Sequence, residues 1–227
     1  MALNLVHEID DRVAVRNVLI SVSDKRGLDT LIPGLVALLP QVRIYSTGGT
    51  FDAIRAVLGP TAARHLVSVS DYTGQPEMQG GLVKALDFRI YLGLLSETYN
   101  PAHGADLART QAVPFDLVVV NLYPFQQTVA RAGVTPEQAR TNIDIGGPCM
   151  VRASAKNYLR VAAVTDPADY ASVLDELRLN RGTLGLDLRF RLMQKAFRHT
   201  AAYDAAIAAH FAAVQPDAVR RTYTCHG

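Results

Sequence analysis

Short apolar runs rich in β-branched residues alternate with glycine- and hydroxyl-bearing turns through the first half of the chain. Residues 15–22 (VRNVLISV) read as a buried strand, and SDKRG turns the chain into a helix over residues 28–39 that Pro33 makes imperfect. The pattern recurs as a strand at 42–45, the loop STGGT, a helix at 51–58 and a short strand at 66–69 before SDYTGQPE. Residues 115–123 (FDLVVVNLY) have the unbroken apolar centre of a parallel strand covered on both faces, a run that a buried helix shares, and Pro124 ends it. From about Thr135 the pattern is helical apart from a strand at 159–165. It closes in a long helix over 187–214, whose alanine-rich face suits the core or a subunit interface. Such alternation predicts an α/β fold with parallel strands, right-handed crossovers and ligand loops at the strands' carboxyl ends. Residues 1–14 are expected to be an irregular extension, 15–214 one domain with a helical C-terminal subregion, and 215–227 a tail.

Composition narrows the function. A chain of 227 residues, 49% hydrophobic, is ample for a buried core. With 23 basic and 21 acidic residues, net charge +2, it offers no broad basic surface for nucleic acid, so any bound anion is expected to be small. No apolar run is long enough to span a membrane. Two cysteines, Cys149 and Cys225, make no disulfide framework, and no secretory leader precedes the first strand, so a reducing cytoplasm is the expected compartment. The histidines are scattered, and none pairs with cysteine or carboxylate at metal-ligand spacing.

Five clusters carry candidate chemistry. SVSDK, residues 21–25, places Ser23 and Lys25 where a helix N-terminus favours an anion, although an ordinary cap followed by a solvated lysine reads the same way. STGGT supplies Thr47 and Thr50 hydroxyls around Gly48 and Gly49, which let a ligand approach the backbone. Two such loops at successive strand ends favour one shared phosphate pocket over two unrelated turns. Lys84, set among Leu82, Val83, Ala85 and Leu86, is either a partly desolvated amine suited to proton transfer or a lysine snorkelling from a helix. NLYPF puts Asn121 and Tyr123 at the end of the central strand, either facing a planar polar ligand or forming a structural tyrosine corner. Finally, in TNIDIGGPCMVRASAKN, Asp144 precedes a glycine pair with free N–H groups, and Arg152 and Lys156 share a helix face that an anionic ligand or Asp144 would balance.

Taken in order, SVSDK, STGGT, SDYTGQPEM, VKAL, FDLVVVNLYPF, NIDIGGPCMVRASAKN, VTDPADY and KAFRHTAAYDAAI resemble the inosinate (IMP) cyclohydrolase domain of the bifunctional purine-biosynthesis enzyme. The resemblance runs from about Asn17 to Phe211. It implies a methylglyoxal-synthase-like parallel α/β sheet flanked by helices. The activity implied is closure of formylated aminoimidazole-carboxamide ribotide (FAICAR) to IMP with loss of water and no cofactor. The family couples this domain to a longer formyltransferase domain, so the chain resembles a free-standing cyclohydrolase half, with a homodimer and a separate formyltransferase as the partners implied. By match to its motifs, the phosphate meets Ser23, Lys25, Thr47, Gly48, Gly49 and Thr50. Asn121, Ile145, Gly146 and Gly147 complete the substrate contacts, and Lys84, Tyr123, Asp144 and Lys156 surround the closing ring. One stretch departs from the pattern: where the family reads DGRVKTLHPKIHGG, this chain has QGGLVKALDFRIYLG, with Leu82, Ala85, Asp87 and Arg89 in place of arginine, threonine, histidine and lysine. Two other classes stay open, a non-catalytic purine-nucleotide sensor or assembly partner and a methylglyoxal-synthase-like lyase.

Overall fold

The computed structural model of the protein describes residues 5–76 and 85–226. Five parallel strands form the central sheet in the order β4-β3-β2-β5-β6: β2 (Asn17–Val22), β3 (Arg43–Ser46), β4 (Leu66–Ser68), β5 (Leu117–Asn121) and β6 (Ala162–Val164). All five residues of β5 are buried, as its LVVVN run requires of a strand covered on both faces. The chain winds outward from β2 through β3 to β4, then crosses back to place β5 on the other side of β2. The seam between β2 and β5 is therefore the point where strand order reverses, and open α/β sheets bind ligands at such a point. Register fixes the rim: Val22 pairs with Asn121 and Ile20 with Ser46, so the loops leaving β2, β3 and β5 emerge side by side.

Side chains alternate between two cores. On one face Val18, Ile20 and Ile44 pack against α1 (Leu28–Leu38) and α2 (Gly48–Leu58). On the other, Leu19, Val118 and Val120 share a core with Ile90 and Leu94, Met150 and Val151, and Ala196 and Tyr203. Before residue 77 the chain also holds α3 (Ala62–His65) and α4 (Val69–Thr73). Residues 87–114, to which the hydrophobic pattern assigns no element, hold α5 (Phe88–Leu95) and α6 (Pro101–Thr110), started by side-chain caps from Asp87 and Asn100. After β5 come α7 (Phe125–Val129), α8 (Pro136–Thr141) and α9 (Gly146–Lys156), and after β6 comes α10 (Tyr170–Leu179). The long final pattern is α11 (Leu186–Ala212), which runs along β6 and α9 and so covers the open sheet edge.

Both ends are more ordered than the sequence suggests. Within the expected extension, β1 (Arg12–Ala14) pairs antiparallel with β7 (Thr183–Gly185). Arg189 of α11 holds this segment by donating to the Asp10 and Asp11 carbonyls. Within the expected tail, α12 (Pro216–Thr222) packs on α8, and Tyr223 bonds Glu137 there. The strand expected at 159–165 narrows to β6, because Asn157–Arg160 and Asn157–Val161 backbone bonds keep the preceding residues in a turn. Among the described residues no helix is long and apolar enough to cross a membrane.

Candidate active site

At the rim of β2, β3 and β5 lies a cavity of about 250 Å³. Ser23, Lys25, Thr47, Gly48, Gly49, Thr50, Asn121, Tyr123, Asp144, Gly146 and Gly147 all line it, although they are spread over more than a hundred residues of sequence. Its walls are held together by side chains that imitate backbone pairing. Thr50 Oγ1 accepts from the Val22 N–H at 3.1 Å and donates to the Val22 carbonyl at 3.0 Å. Asn121 accepts from the Asp24 N–H at 2.8 Å and donates to the Asp24 carbonyl at 2.9 Å. These two residues were expected to address a ligand, but their polar atoms instead brace the first loop against the second and against β5.

The braced loops leave donors facing the cavity. Thr47 makes no side-chain capping bond to α2, so the first-turn N–H groups of that helix lack a protein side-chain acceptor. Lys25 stands over the helix start, where a Cβ at Gly49 would lie 3.9 Å from its Nζ, and it has no ion-pair partner among the described residues. A second N-terminus, that of α9, opens on the same cavity; its N-cap residue Ile145 gives no side-chain bond, and the Asp144 carboxylate takes its Gly147 N–H. The open start of α2 and the unpaired Lys25 ammonium make this end of the cavity a site for a dianion such as a phosphate monoester.

Opposite sits Asp144. Its Oδ1 accepts from the Gly147 N–H at 2.8 Å, and burial pushes its carboxyl above the ordinary aspartate value against the lowering effect of the Gly147 and Tyr123 N–H groups. A side chain at Gly147 would come within 2.6 Å of Asp144 Oδ2 and 2.7 Å of Leu122, so only glycine lets the carboxylate lie against the helix start. This bond uses the Gly147 N–H, so of the glycine pair expected to offer free N–H groups only Gly146 does so. The turn carrying Asp144 is fixed from α11, where Tyr203 accepts from the Asp144 N–H at 2.9 Å and donates to the Asn142 carbonyl at 3.1 Å. Tyr203 was missed in the sequence. Its signal is its position on α11, which the KAFRHTAAYDAAI pattern offers only as a core or interface residue. Tyr203→Phe keeps the ring packed on Phe125 but removes both bonds. It is expected to lower turnover about tenfold with KM little changed, measured on the reaction proposed below, because it loosens Asp144 without touching the anion loops.

Other expected residues fall elsewhere. Lys156 is exposed on the last turn of α9, whose first turn forms the cavity; eleven residues at 1.5 Å each put it about 15 Å along the axis. Arg152 lies over the Phe197 ring at 5.5 Å rather than opposite Asp144. Ile145, 59% exposed, is outside the lining. Lys84 and Leu82 lie outside the described residues. Of the stretch that departs from the family pattern, Ala85 and Leu86 give the cavity a neutral apolar wall. Asp87 caps α5 by accepting from the Arg89 N–H at 2.7 Å, and the Arg89 guanidinium donates to the Tyr72 carbonyl at 2.7 Å, so neither replaces the missing polar groups at the cavity.

The sheet order and the anion loops at its reversal point define an MGS-like domain, and residues 27–149 match the model of that family. Residues 154–226 match a second model, the AICARFT/IMPCHase bienzyme, and the chain belongs to this family, over its IMP cyclohydrolase part. The bifunctional purine biosynthesis protein PurH of Trichormus variabilis is 44% identical over 207 residues, covering 91% of this chain and 40% of the relative. That of Magnetococcus marinus is 44% identical over 214 residues, covering 92% and 39%. The chain thus spans about two fifths of the length of the curated relatives it matches. Among solved structures, that of ForH superposes with a TM-score of 0.75 at 32% identity, covering 87% of this chain and 97% of ForH.

Proposed function

We propose that the chain is an IMP cyclohydrolase, closing FAICAR to IMP with loss of water. The observation that carries this reading is the meeting, in one cavity, of a buried carboxylate at Asp144, the Tyr123 phenol and an anion seat made of Lys25 and the open start of α2. Ring closure requires the carboxamide nitrogen to attack the formyl carbon and lose a proton, after which the carbinolamine releases water. The phosphate seat fixes one end of the ribotide so that its two reacting arms lie at Asp144 and Tyr123, and such intramolecular orientation can supply several of the roughly 7–11 kcal/mol available from proximity. Asp144, with its raised pKa, takes the nitrogen's proton more readily than an ordinary aspartate and returns it to the departing hydroxyl. Tyr123, 49% exposed at the mouth, orients the carboxamide. The Gly146 N–H supports the oxygen on which charge develops. In this chain's own fold Lys156 takes no part, and a formyl-transfer reaction must supply the substrate.

The apolar wall of Ala85 and Leu86 favours a second reading, a nucleotide binder without turnover. Among the described residues no histidine lines the cavity, so a lyase that relies on one gains no support. Purified protein is to be mixed with FAICAR and followed by absorbance, with IMP binding measured in parallel. Turnover supports the enzyme, IMP binding without turnover supports the binder, and neither result sinks both. Lys25→Ala is expected to weaken IMP binding by about 10–100-fold, the effect of losing one charge-assisted bond to phosphate.

A further inference from the structure

Lys195, Arg198, His199, Ala202 and Tyr203 recur on α11 at intervals of three and four, so they share one face of the helix. On a helix packed along a sheet edge, such a stripe is ordinarily apolar. Here it lines a second cavity of about 530 Å³, within the size range of small-molecule sites. The β2–α1 loop is the partition: Ser21, Ser23 and Lys25 face the first cavity, whereas Asp24 and Arg26 face the second. Tyr123 and Asn121 border both.

The charges in the second cavity are unevenly balanced. Lys195 is held by Asp166 and Asp169, each at 2.8 Å, and Arg26 by Asp24 at 2.5 Å. Among the described residues Arg198 has no carboxylate partner, and the buried Nε2 of His199 has no hydrogen-bond partner. A buried polar atom left unpaired costs free energy that a bound group can recover. Burial also holds the His199 pKa below its ordinary value, with Asp166 opposing the shift and Lys195 adding to it, so at neutral pH the ring is uncharged. We propose that this cavity is a second binding site for a small oxyanion metabolite, a carboxylate or phosphate ester, gripped by Arg198 and His199 Nε2. The site is separate from the nucleotide seat and does not depend on ring closure. Through Tyr203, at the end of the stripe, its occupant lies one side chain from the turn that carries Asp144.

The test uses the full chain with isotope-labelled histidines, titrated in separate arms with inorganic phosphate and with citrate while the ring signals are followed by NMR. The His199 signal is assigned by its loss in His199→Gln. The expected result is a saturable shift of that signal with at least one anion, retained in Lys25→Ala and weakened about tenfold in Arg198→Ala, a change of about 1.4 kcal/mol. Saturation by phosphate alone names a phosphate ester, and saturation by citrate alone names a carboxylate. A His199 signal unmoved by both anions, or a shift abolished by Lys25→Ala and untouched by Arg198→Ala, overturns the proposal by assigning all anion binding to the nucleotide cavity.

Discussion

Asp144→Asn is expected to lower FAICAR turnover a hundredfold or more, within the roughly 10²–10⁴-fold range of a positioned general base, while leaving the fold as stable as the wild type or more so. The two effects have one cause. Asparagine can still accept the Gly147 N–H through its side-chain oxygen, so the helix start keeps its partner, but it cannot take a proton from nitrogen. Burial raises the folded-state pKa of Asp144 above its unfolded value, so the folded chain favours the protonated form. That preference stabilises the fold at acid pH and is lost as pH rises through the folded pKa; at neutral pH the ionised carboxylate therefore costs stability. Removing it relieves this cost, the usual exchange between an active-site charge and the fold. The same shift sets the acid limb of the wild-type rate: turnover should fall with decreasing pH at a value above the ordinary aspartate range. A pH–rate profile together with thermal melts of both proteins checks the claim. Full turnover in Asp144→Asn would remove the general base, and a large loss of melting temperature would make Asp144 a structural residue.

How far the sequence reveals this site depends on the kind of information each residue needs. The β-branched runs at 15–22 and 115–123 disclose strands because burial on two faces demands them, and once both are parallel their loops must meet at one rim. Glycines beside hydroxyls disclose a loop that a ligand's anion can approach. What such a run does not disclose is which hydroxyl faces the ligand. Thr50 and Asn121 read like ligand contacts, yet a polar residue at a strand end serves equally well as a brace for a neighbouring loop, and only the register decides. Lys156 misled for a different reason. Its closeness to Asp144 in sequence becomes three helical turns of distance once residues 146–156 form one unbroken helix. Tyr203 and the second cavity were hidden because helical phase tells which α11 residues share a face but not what that face meets. Of the two helices within 87–114, α6 escaped for want of an apolar stripe, since it has no buried residue and depends on its Asn100 cap, whereas α5 buries Ile90, Gly93 and Leu94 but is only eight residues long.

Arg189→Met is expected to cost about 3–5 kcal/mol of unfolding free energy, the range for breaking a buried charged network. Arg189 is fully buried in α11, yet no carboxylate among the described residues bonds it. Its guanidinium instead donates to five carbonyls: Tyr158 at 3.0 Å, Leu159 at 3.1 Å, Leu184 at 2.5 Å, Asp11 at 3.1 Å and Asp10 at 2.7 Å. Those oxygens belong to the turn before β6, to β7 and to the N-terminal segment, three pieces that no strand pairing joins to one another apart from β1 with β7. Methionine fills much of the volume with apolar atoms but leaves five carbonyls without donors, and each unsatisfied buried acceptor costs about 1–3 kcal/mol before water or relaxation recovers part of it. Lysine keeps the charge, but its compact ammonium cannot reproduce the planar fork, so Arg189→Lys should restore only part of the loss. Because domains of this size are stable by roughly 5–15 kcal/mol, the methionine variant should still fold but melt at markedly lower urea concentration. Amide exchange should also quicken first in β1 and β7, whose pairing Arg189 anchors from beneath. A midpoint within experimental error of the wild type would mean that the β1–β7 ladder holds the N-terminal segment by itself.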